Sequence, residues 1–412
     1  MARILEDHGK GLLAECKIPI PTGKAAATAA AAAQSAQEIG FPVAIKALVP
    51  VGKRGKAGAI AFADNEKEAL DRAEKILGMT VSGYPVEQVL VEQKLAIARE
   101  IYLSITIDKA AQRVAIVASS LGGVNIEQLS REHPDKVSKT HIDPLVGLPG
   151  YKAIEIWSDL GLTGKLLRQA STILIRLYRM FVRYDATLAE INPLVLTEEE
   201  TIVAADCVLN IDENALYRQP ALADSVQPGS DRAWRPLTEL EKSLIEASAK
   251  EAYRGTARYT EFDGGDIGFM CGGGGASLLL MDALSRAGGR PANYSEIGGN
   301  PPESKVYSLC KGILSKPGVK GLFLAHNITN NTQIDLMAKG VVAALDEMGI
   351  DPKVFPVVVR EAGTHDEEGR QIFIAAGIEY HGDDITLDEA ALLMVEKMRR
   401  AYPDYDQWEG AE

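Results

Sequence analysis

From residue 262 onward, short apolar runs alternate with helix-length amphipathic stretches. The pattern predicts strands over 266–271, 292–296, 319–325 and 353–359, and helices over 275–287, 301–315, 332–348 and 366–376. Few architectures accept this alternation, because parallel strands need crossover helices and bury both faces of their sheet. It predicts a doubly wound parallel sheet over 261–396, a fold that takes ligands at the carboxyl ends of its strands. Three glycine- or asparagine-rich turns fall at that edge: Cys271-Gly-Gly-Gly-Gly-Ala-Ser277, Ile297-Gly-Gly-Asn-Pro-Pro302 and Asn327-Ile-Thr-Asn-Asn-Thr332. The first lacks the Gly-Lys-Ser/Thr of a Walker loop. Close packing of strand on helix is its preferred reading, with anion binding at the helix N-terminus second.

The first 218 residues follow another pattern. Helices are expected over 3–16, 25–39, 65–78 and 163–184, and strands over 41–46, 58–62, 86–92, 100–107, 113–119, 187–196 and 202–208, which together make an α+β unit. Residues 219–260 turn to Pro, Ser, Asp and Arg before a charged helix at 237–252, and read as a connector. Residues 397–412 read as a loosely ordered tail. A chain of 412 residues is long enough for each domain to bury its own core.

Composition removes several function classes. A net charge of −13 argues against general nucleic-acid binding, which needs basic surface to displace counterions. The cysteines, Cys16, Cys207, Cys271 and Cys310, form no C-x-x-C pair, so neither a disulfide framework nor a zinc site is expected and a cytoplasmic home is. No stretch approaches the roughly 18 apolar residues a membrane span requires.

Against this acidic background, a local cationic segment stands out. Lys46 ends a strand and faces the loop Gly52-Lys-Arg-Gly-Lys-Ala-Gly58, which returns to a second strand. Glycines let backbone N–H groups approach a phosphate while Lys and Arg neutralise it; the alternative is a solvated basic hairpin. About a hundred and forty residues later, Glu190-Ile-Asn-Pro-Leu194 places Glu190 and Asn192 on one face of a strand. With Asp206 on the next strand, Asn192 offers the hard oxygen ligands that suit Mg²⁺, although an Asn-Pro turn explains Asn192 equally well. Of the histidines, His8, His133, His141, His365 and His381 read as structural or exposed, and His326, just before the Asn327–Thr332 segment, is a candidate for substrate contact.

These residues carry a family likeness. Lys46, the Gly52–Gly58 loop, Glu190-Ile-Asn-Pro-Leu-Val195, Asp206, Leu121-Gly-Gly-Val-Asn-Ile-Glu127 and Asn214-Ala-Leu-Tyr-Arg-Gln-Pro220 resemble the β subunits of succinyl-CoA synthetase, the ADP-forming succinate–CoA ligases, from about residue 5 to 396. Tyr294-Ser-Glu-Ile-Gly-Gly-Asn-Pro-Pro-Glu303 also resembles the ATP-citrate lyase and citryl-CoA synthetase branch. The resemblance implies an N-terminal ATP-grasp domain over 1–218 and a flavodoxin-like CoA-ligase domain over 261–396. It implies ATP contacts at Lys46, Lys53, Arg54, Gly55, Glu92 and Glu100, Mg²⁺ ligands at Asn192 and Asp206, and a role for Glu190 in steadying a phosphohistidine. That histidine, and most of the CoA site, would belong to a partner α subunit in an αβ or (αβ)₂ heteromer.

The departures bear on the acid. In the nucleotide loop the family's His-Ala-Gly-Gly is Pro50-Val-Gly-Lys53. Where succinate enzymes have three glycines, this chain has Gly298-Gly-Asn300, and their Ile-Phe-Gly-Gly-Ile-Val loop is replaced by Asn327–Thr332. Asn293, Asn300, Asn330, Asn331 and Thr332 are the expected acid-binding residues, and polar groups there would be left unpaired by a plain methylene chain. A short polar acid such as malate, citrate or a sulfonated acid is expected ahead of succinate. The alternatives are a succinyl-CoA synthetase β subunit proper and a stand-alone ATP-grasp carboxylate–amine ligase.

Overall fold

The computed structural model describes residues 2–52, 54–123, 126–223, 225–226, 235–251 and 253–407. Lys53, one of the expected phosphate contacts, lies outside them. The chain forms two compact units, Met1–Pro236 and Leu237–Glu412.

The first unit contains two main sheets. In the smaller, antiparallel strands run in the order Gly23–Ala26, Val89–Gln93, Val43–Ala47, Ile60–Ala63. Helices Ala29–Ile39 and Glu66–Leu77 cover it, and Ala32, Ala36, Ala69 and Ala73 pack against Val43, Ile45, Val89 and Val91. Small side chains on both helices let them lie close to the sheet. The Thr28 hydroxyl accepts from Ala31 N–H and Asn65 Oδ1 from Glu68 N–H, capping the two N-termini. The alanine-rich helix therefore begins at Ala29 rather than 25, because Gly23–Ala26 pairs with Val89–Glu92 and strand pairing overrides local propensity.

The larger sheet runs Ala2–Ile4, Val208–Ile211, Ala186–Thr197, Ile97–Asp108, Arg113–Ser119, Val137–Ile142, with Ile202–Ala204 paired to Ala186–Thr197. Helix Gly164–Arg183 lays Ile173, Leu174, Leu177 and Phe181 on its core. The expected strand 202–208 is split in two, which leaves Ala205-Asp206-Cys207 as a corner between Ile202–Ala204 and Val208–Ile211. The first residues are a strand rather than helix, and helix Glu6–Glu15 follows.

In the second unit the order is Thr256–Glu261, Asn293–Gly298, Ile267–Gly272, Gly321–Gln333, Val357–Thr364, Tyr380–His381. All neighbours are parallel except the edge strand Thr256–Glu261. Counted along the chain, the parallel strands lie 2-1-3-4-5, the flavodoxin order, which reverses between Ile267–Gly272 and Gly321–Gln333. Helices Gly275–Arg286 and Leu387–Ala401 cover one face, and Glu303–Ser315 and Ile334–Glu347 the other.

Three expectations change here. Much of the 219–260 connector belongs to this unit, since helix Glu239–Ala249 packs Leu240 and Leu244 on its core and Thr256–Glu261 joins its sheet. The tail is anchored past 396: the last helix reaches Ala401 and Tyr405 is buried beneath Arg290. Asn327–Thr332 is not a free loop but the irregular end of strand Gly321–Gln333, where Ile328 and Thr329 still pair with Ala362 and Gly363. Gly363 permits this, because a Cβ there would lie 2.1 Å from the Thr329 carbonyl oxygen.

Candidate functional site

The cationic loop and the acidic corner of the first unit meet in a buried charge cluster. Ala44 stands opposite Glu92 across two strands, and Lys46, two residues on, shares their face. The Lys46 ammonium lies 2.7 Å from Glu92 Oε2 and 2.9 Å from Glu6 Oε1, and donates to the Ala205 carbonyl at 2.6 Å. Arg54 reaches back from the glycine loop: Nη1 lies 2.5 Å from Glu6 Oε2 and donates to the Ala47 carbonyl, while Nη2 lies 2.8 Å from Asp206 Oδ1. Lys10 closes the cluster, 2.5 Å from Glu92 and 2.8 Å from Glu6.

Three cations thus balance three anions, Lys10, Lys46 and Arg54 against Glu6, Glu92 and Asp206. Burial alone would discharge these groups, and here the neighbours win. Burial works against the charge on Lys46, but Glu6, Glu92 and Asp206 outweigh it and raise its pKa. Arg54 is held charged in the same way by Glu6 and Asp206. For Glu6, burial pushes the carboxyl up, yet Lys46, Lys10 and Arg54 together hold it well below the usual carboxylate range. Such clusters add little net stability. Their effect is to fix cations in place and keep them charged.

The glycines of the loop are not explained by packing. A Cβ on Gly52 would meet nothing within 4 Å, and one on Gly55 would only graze Ile60. Gly58 is accounted for by its backbone, which at φ 70° lies in the left-handed region that favours glycine.

Glu190, Asn192 and Glu100 gather beside this cluster. The Tyr102 hydroxyl donates to Glu190 Oε2 at 3.1 Å, and Gly123 N–H donates to Asn192 Oδ1 at 2.9 Å. Gly122 N–H donates to the Glu100 carbonyl, and a Cβ on Gly123 would strike the Glu100 carboxylate. Burial, reinforced by the nearby Asp206 charge, raises the Glu190 pKa despite the Tyr102 hydrogen bond. Asp206 Oδ1 accepts from Arg54 and from Cys207 N–H, and Oδ2 makes no hydrogen bond among the described residues. Sequence reasoning missed Glu6 and Lys10, which sit on helix Glu6–Glu15 at a spacing common to any solvated helix face.

In the second unit, the expected acid-binding residues separate. Asn300, in the left-handed region at φ 59°, donates a long hydrogen bond of 3.4 Å from its backbone N–H to Thr332 Oγ1. Asn330 and Asn331 are exposed on the same strand end, and the Asn330 carbonyl accepts from the Thr364 hydroxyl. Asn293 does not join them. It begins its strand at the opposite edge of the sheet, fully buried, and both ends of its amide bind the Phe269 backbone. A sheet-bridging role replaces the expected substrate contact.

Comparison with known proteins agrees with both folds. A model of the ATP-grasp domain matches residues 3–196, and a model of the ATP citrate lyase citrate-binding domain matches residues 235–388. The GDP-forming succinate–CoA ligase subunit beta of Thermus thermophilus is 39% identical, over 95% of this chain and 98% of its own. The ADP-forming subunit beta of Ignicoccus hospitalis is 38% identical, over 94% and 97%. ATP citrate lyase from Methanothrix soehngenii, solved with citrate and coenzyme A, superposes with a TM-score of 0.78 at 22% identity, covering 96% of this chain and 99% of that one. The curated relatives are β subunits of acid–thiol ligases, the enzymes that join carboxylic acids to CoA, and the chain is of that class. With relatives this similar over nearly the whole length, the chain belongs to the succinate–CoA ligase β-subunit family. Among the described residues no helix is long and apolar enough to cross a membrane.

Proposed function

We propose that this chain binds Mg-ATP in residues 1–218 and donates the γ-phosphoryl group to a histidine of an α subunit, driving CoA-thioester formation from a short polar acid held by residues 261–396. The observation that carries the nucleotide half is the placement of Lys46 and Arg54, buried and held charged beside Asp206. Phosphoryl transfer is catalysed mainly by alignment and charge stabilisation, which fixed cations supply. Lys46 and Arg54 contact the phosphates by exchanging carboxylate partners for phosphate oxygens, and Lys53, Gly55, Glu92 and Glu100 complete the nucleotide set.

Asn192 and Asp206 fit Mg²⁺ as hard oxygen donors, and the unengaged Asp206 Oδ2 leaves a position for it. Bound there, the ion would withdraw charge from the phosphate oxygens. Glu190, oriented by Tyr102, steadies the imidazole that receives the phosphoryl group. CoA itself falls mainly to the α subunit, in an αβ or (αβ)₂ assembly.

Asn300, Asn330, Asn331 and Thr332 support a polar acid, malate, citrate or a sulfonated acid, over succinate. Succinate is the second reading, favoured by the names of the relatives. The test is ATP- and CoA-dependent ADP release by the chain co-expressed with its α partner, across succinate, malate, citrate and sulfoacetate. The highest kcat/KM with succinate refutes the choice of acid, and turnover by the purified chain alone refutes the division of labour.

A further inference from the structure

Ile297, Gly272, His326 and Glu361 form a row across four strands of the second sheet. Gly272 is paired with Ile297, while Cys271 is aligned with Ala325 and Ala325 with Arg360, one residue earlier on each strand. The row lies two residues beyond Met270, Leu324 and Val359, on the same face of the sheet and at its carboxyl edge. It therefore spans the point where the strand order reverses, where open parallel sheets bind their ligands.

A missing side chain makes the row possible. A Cβ on Gly272 would lie 2.6 Å from His326 Cδ2, so the imidazole occupies the space a side chain would fill. From there Nε2 lies 3.3 Å from the Ile297 carbonyl oxygen and Nδ1 lies 2.9 Å from Glu361 Oε1. The carbonyl accepts only, so Nε2 carries hydrogen. Nδ1 and Oε1 stand at ion-pair distance, although Nδ1 makes no hydrogen bond among the described residues. Oε1 faces the imidazole, and Oε2 is the second oxygen of the carboxylate.

That second oxygen has no hydrogen-bond partner among the described residues, although Glu361 is 1% exposed and His326 2% exposed. Asn300 Oδ1, on the turn after Ile297, is likewise buried without one. A buried acceptor without a donor is costly, and a ligand that supplies the donor is favoured by the same margin.

We propose that Glu361 Oε2 accepts a hydrogen bond from a hydroxyl of the acid, and that Glu361, oriented by His326, selects a hydroxylated short carboxylic acid. The assignment rests on the proposed function and narrows it. Acids bearing a hydroxyl satisfy Oε2. Succinate leaves it unpaired, and an ionised sulfonate presents acceptors to an acceptor.

The experiment uses the chain in complex with its α subunit, comparing malate with succinate, which differ by that hydroxyl. The expected wild-type kcat/KM ratio favours malate by about tenfold or more. Glu361→Leu removes the acceptor and offers the acid no donor in its place, and the ratio falls toward one while ATP-dependent phosphorylation of the complex without acid is unchanged. A wild-type ratio near one or below overturns the assignment whether or not the variant folds, as does a Glu361→Leu ratio equal to wild type. A complex that ATP does not phosphorylate, and that turns over no acid, overturns the proposed function itself.

Discussion

Glu6 is the residue on which the charge cluster depends, and replacing it with glutamine tests the account of the nucleotide site. Glu6 lies 2.8 Å from Lys10, 2.9 Å from Lys46 and 2.5 Å from Arg54. Glutamine keeps the shape and one acceptor oxygen but leaves three buried cations against two anions. Removing one member of a buried charge set destabilises by roughly 3–5 kcal/mol. At about 2–4 °C per kcal/mol for a unit of this size, the melting temperature falls by roughly 6–20 °C. The pH dependence supplies an independent check. Because the folded-state pKa of Glu6 is depressed, its stabilisation is present above the unfolded carboxylate pKa and is lost as pH falls through the folded value. The difference between wild type and Glu6→Gln should therefore be full at pH 7 and shrink on acidification below about pH 4. Thermal and urea unfolding of both proteins from pH 7 downward measure it. A difference under about 1 kcal/mol at pH 7, or one that persists undiminished into acid, would refute the reasoning.

Other substitutions probe separate parts of the molecule. Asp206→Ala should abolish ATP-dependent phosphorylation of the complex while assembly persists, and retention of more than a tenth of the wild-type rate would remove Asp206 from the metal site. Tyr102→Phe deletes a hydrogen bond that lowers the Glu190 pKa, so the Glu190 pKa rises further and the acid limb of the kcat–pH profile moves to higher pH; an unmoved limb would show that Glu190 ionisation does not govern the rate. Gly272→Ala places a methyl group against His326 and should cost about 1–3 kcal/mol in urea unfolding, with the malate preference reduced; unchanged stability and selectivity would contradict the packing argument.

The second unit was legible because its signal is local. Each strand and helix announces itself by periodicity, and chain order alone dictates the parallel crossovers. The strand–loop–strand around Lys46 was visible for the same reason, as were Glu190 and Asn192, which share a face two residues apart. Glu6 and Lys10 were not visible, since their partners lie far along the chain at Lys46, Glu92 and Ala205. Nothing in a short amphipathic helix tells which of its charges will be buried. Asn293 failed in the opposite direction: its amide chemistry suited a ligand, but its position at the start of a strand gave it backbone partners first. Asn327–Thr332 looked like a loop because its residues are polar, and it stays in the sheet because Gly363 on the neighbouring strand leaves room for it.

The fit of His326 over Gly272 limits how specificity in this chain is to be redesigned. Residues 327–332 invite a segment swap, since they are contiguous and all but Thr329 and Thr332 are exposed, but their floor is assembled from three separate strands and fixed by an interlock of ring and vacancy. A graft from another ligase would set foreign side chains above an unchanged imidazole and carboxylate. Restoring a side chain at 272 without shrinking residue 326 would jam the floor, and shrinking residue 326 alone would strand Glu361. Positions 272, 326 and 361 therefore have to be exchanged as one unit, and intermediates on the way between two acids pass through proteins that handle neither well.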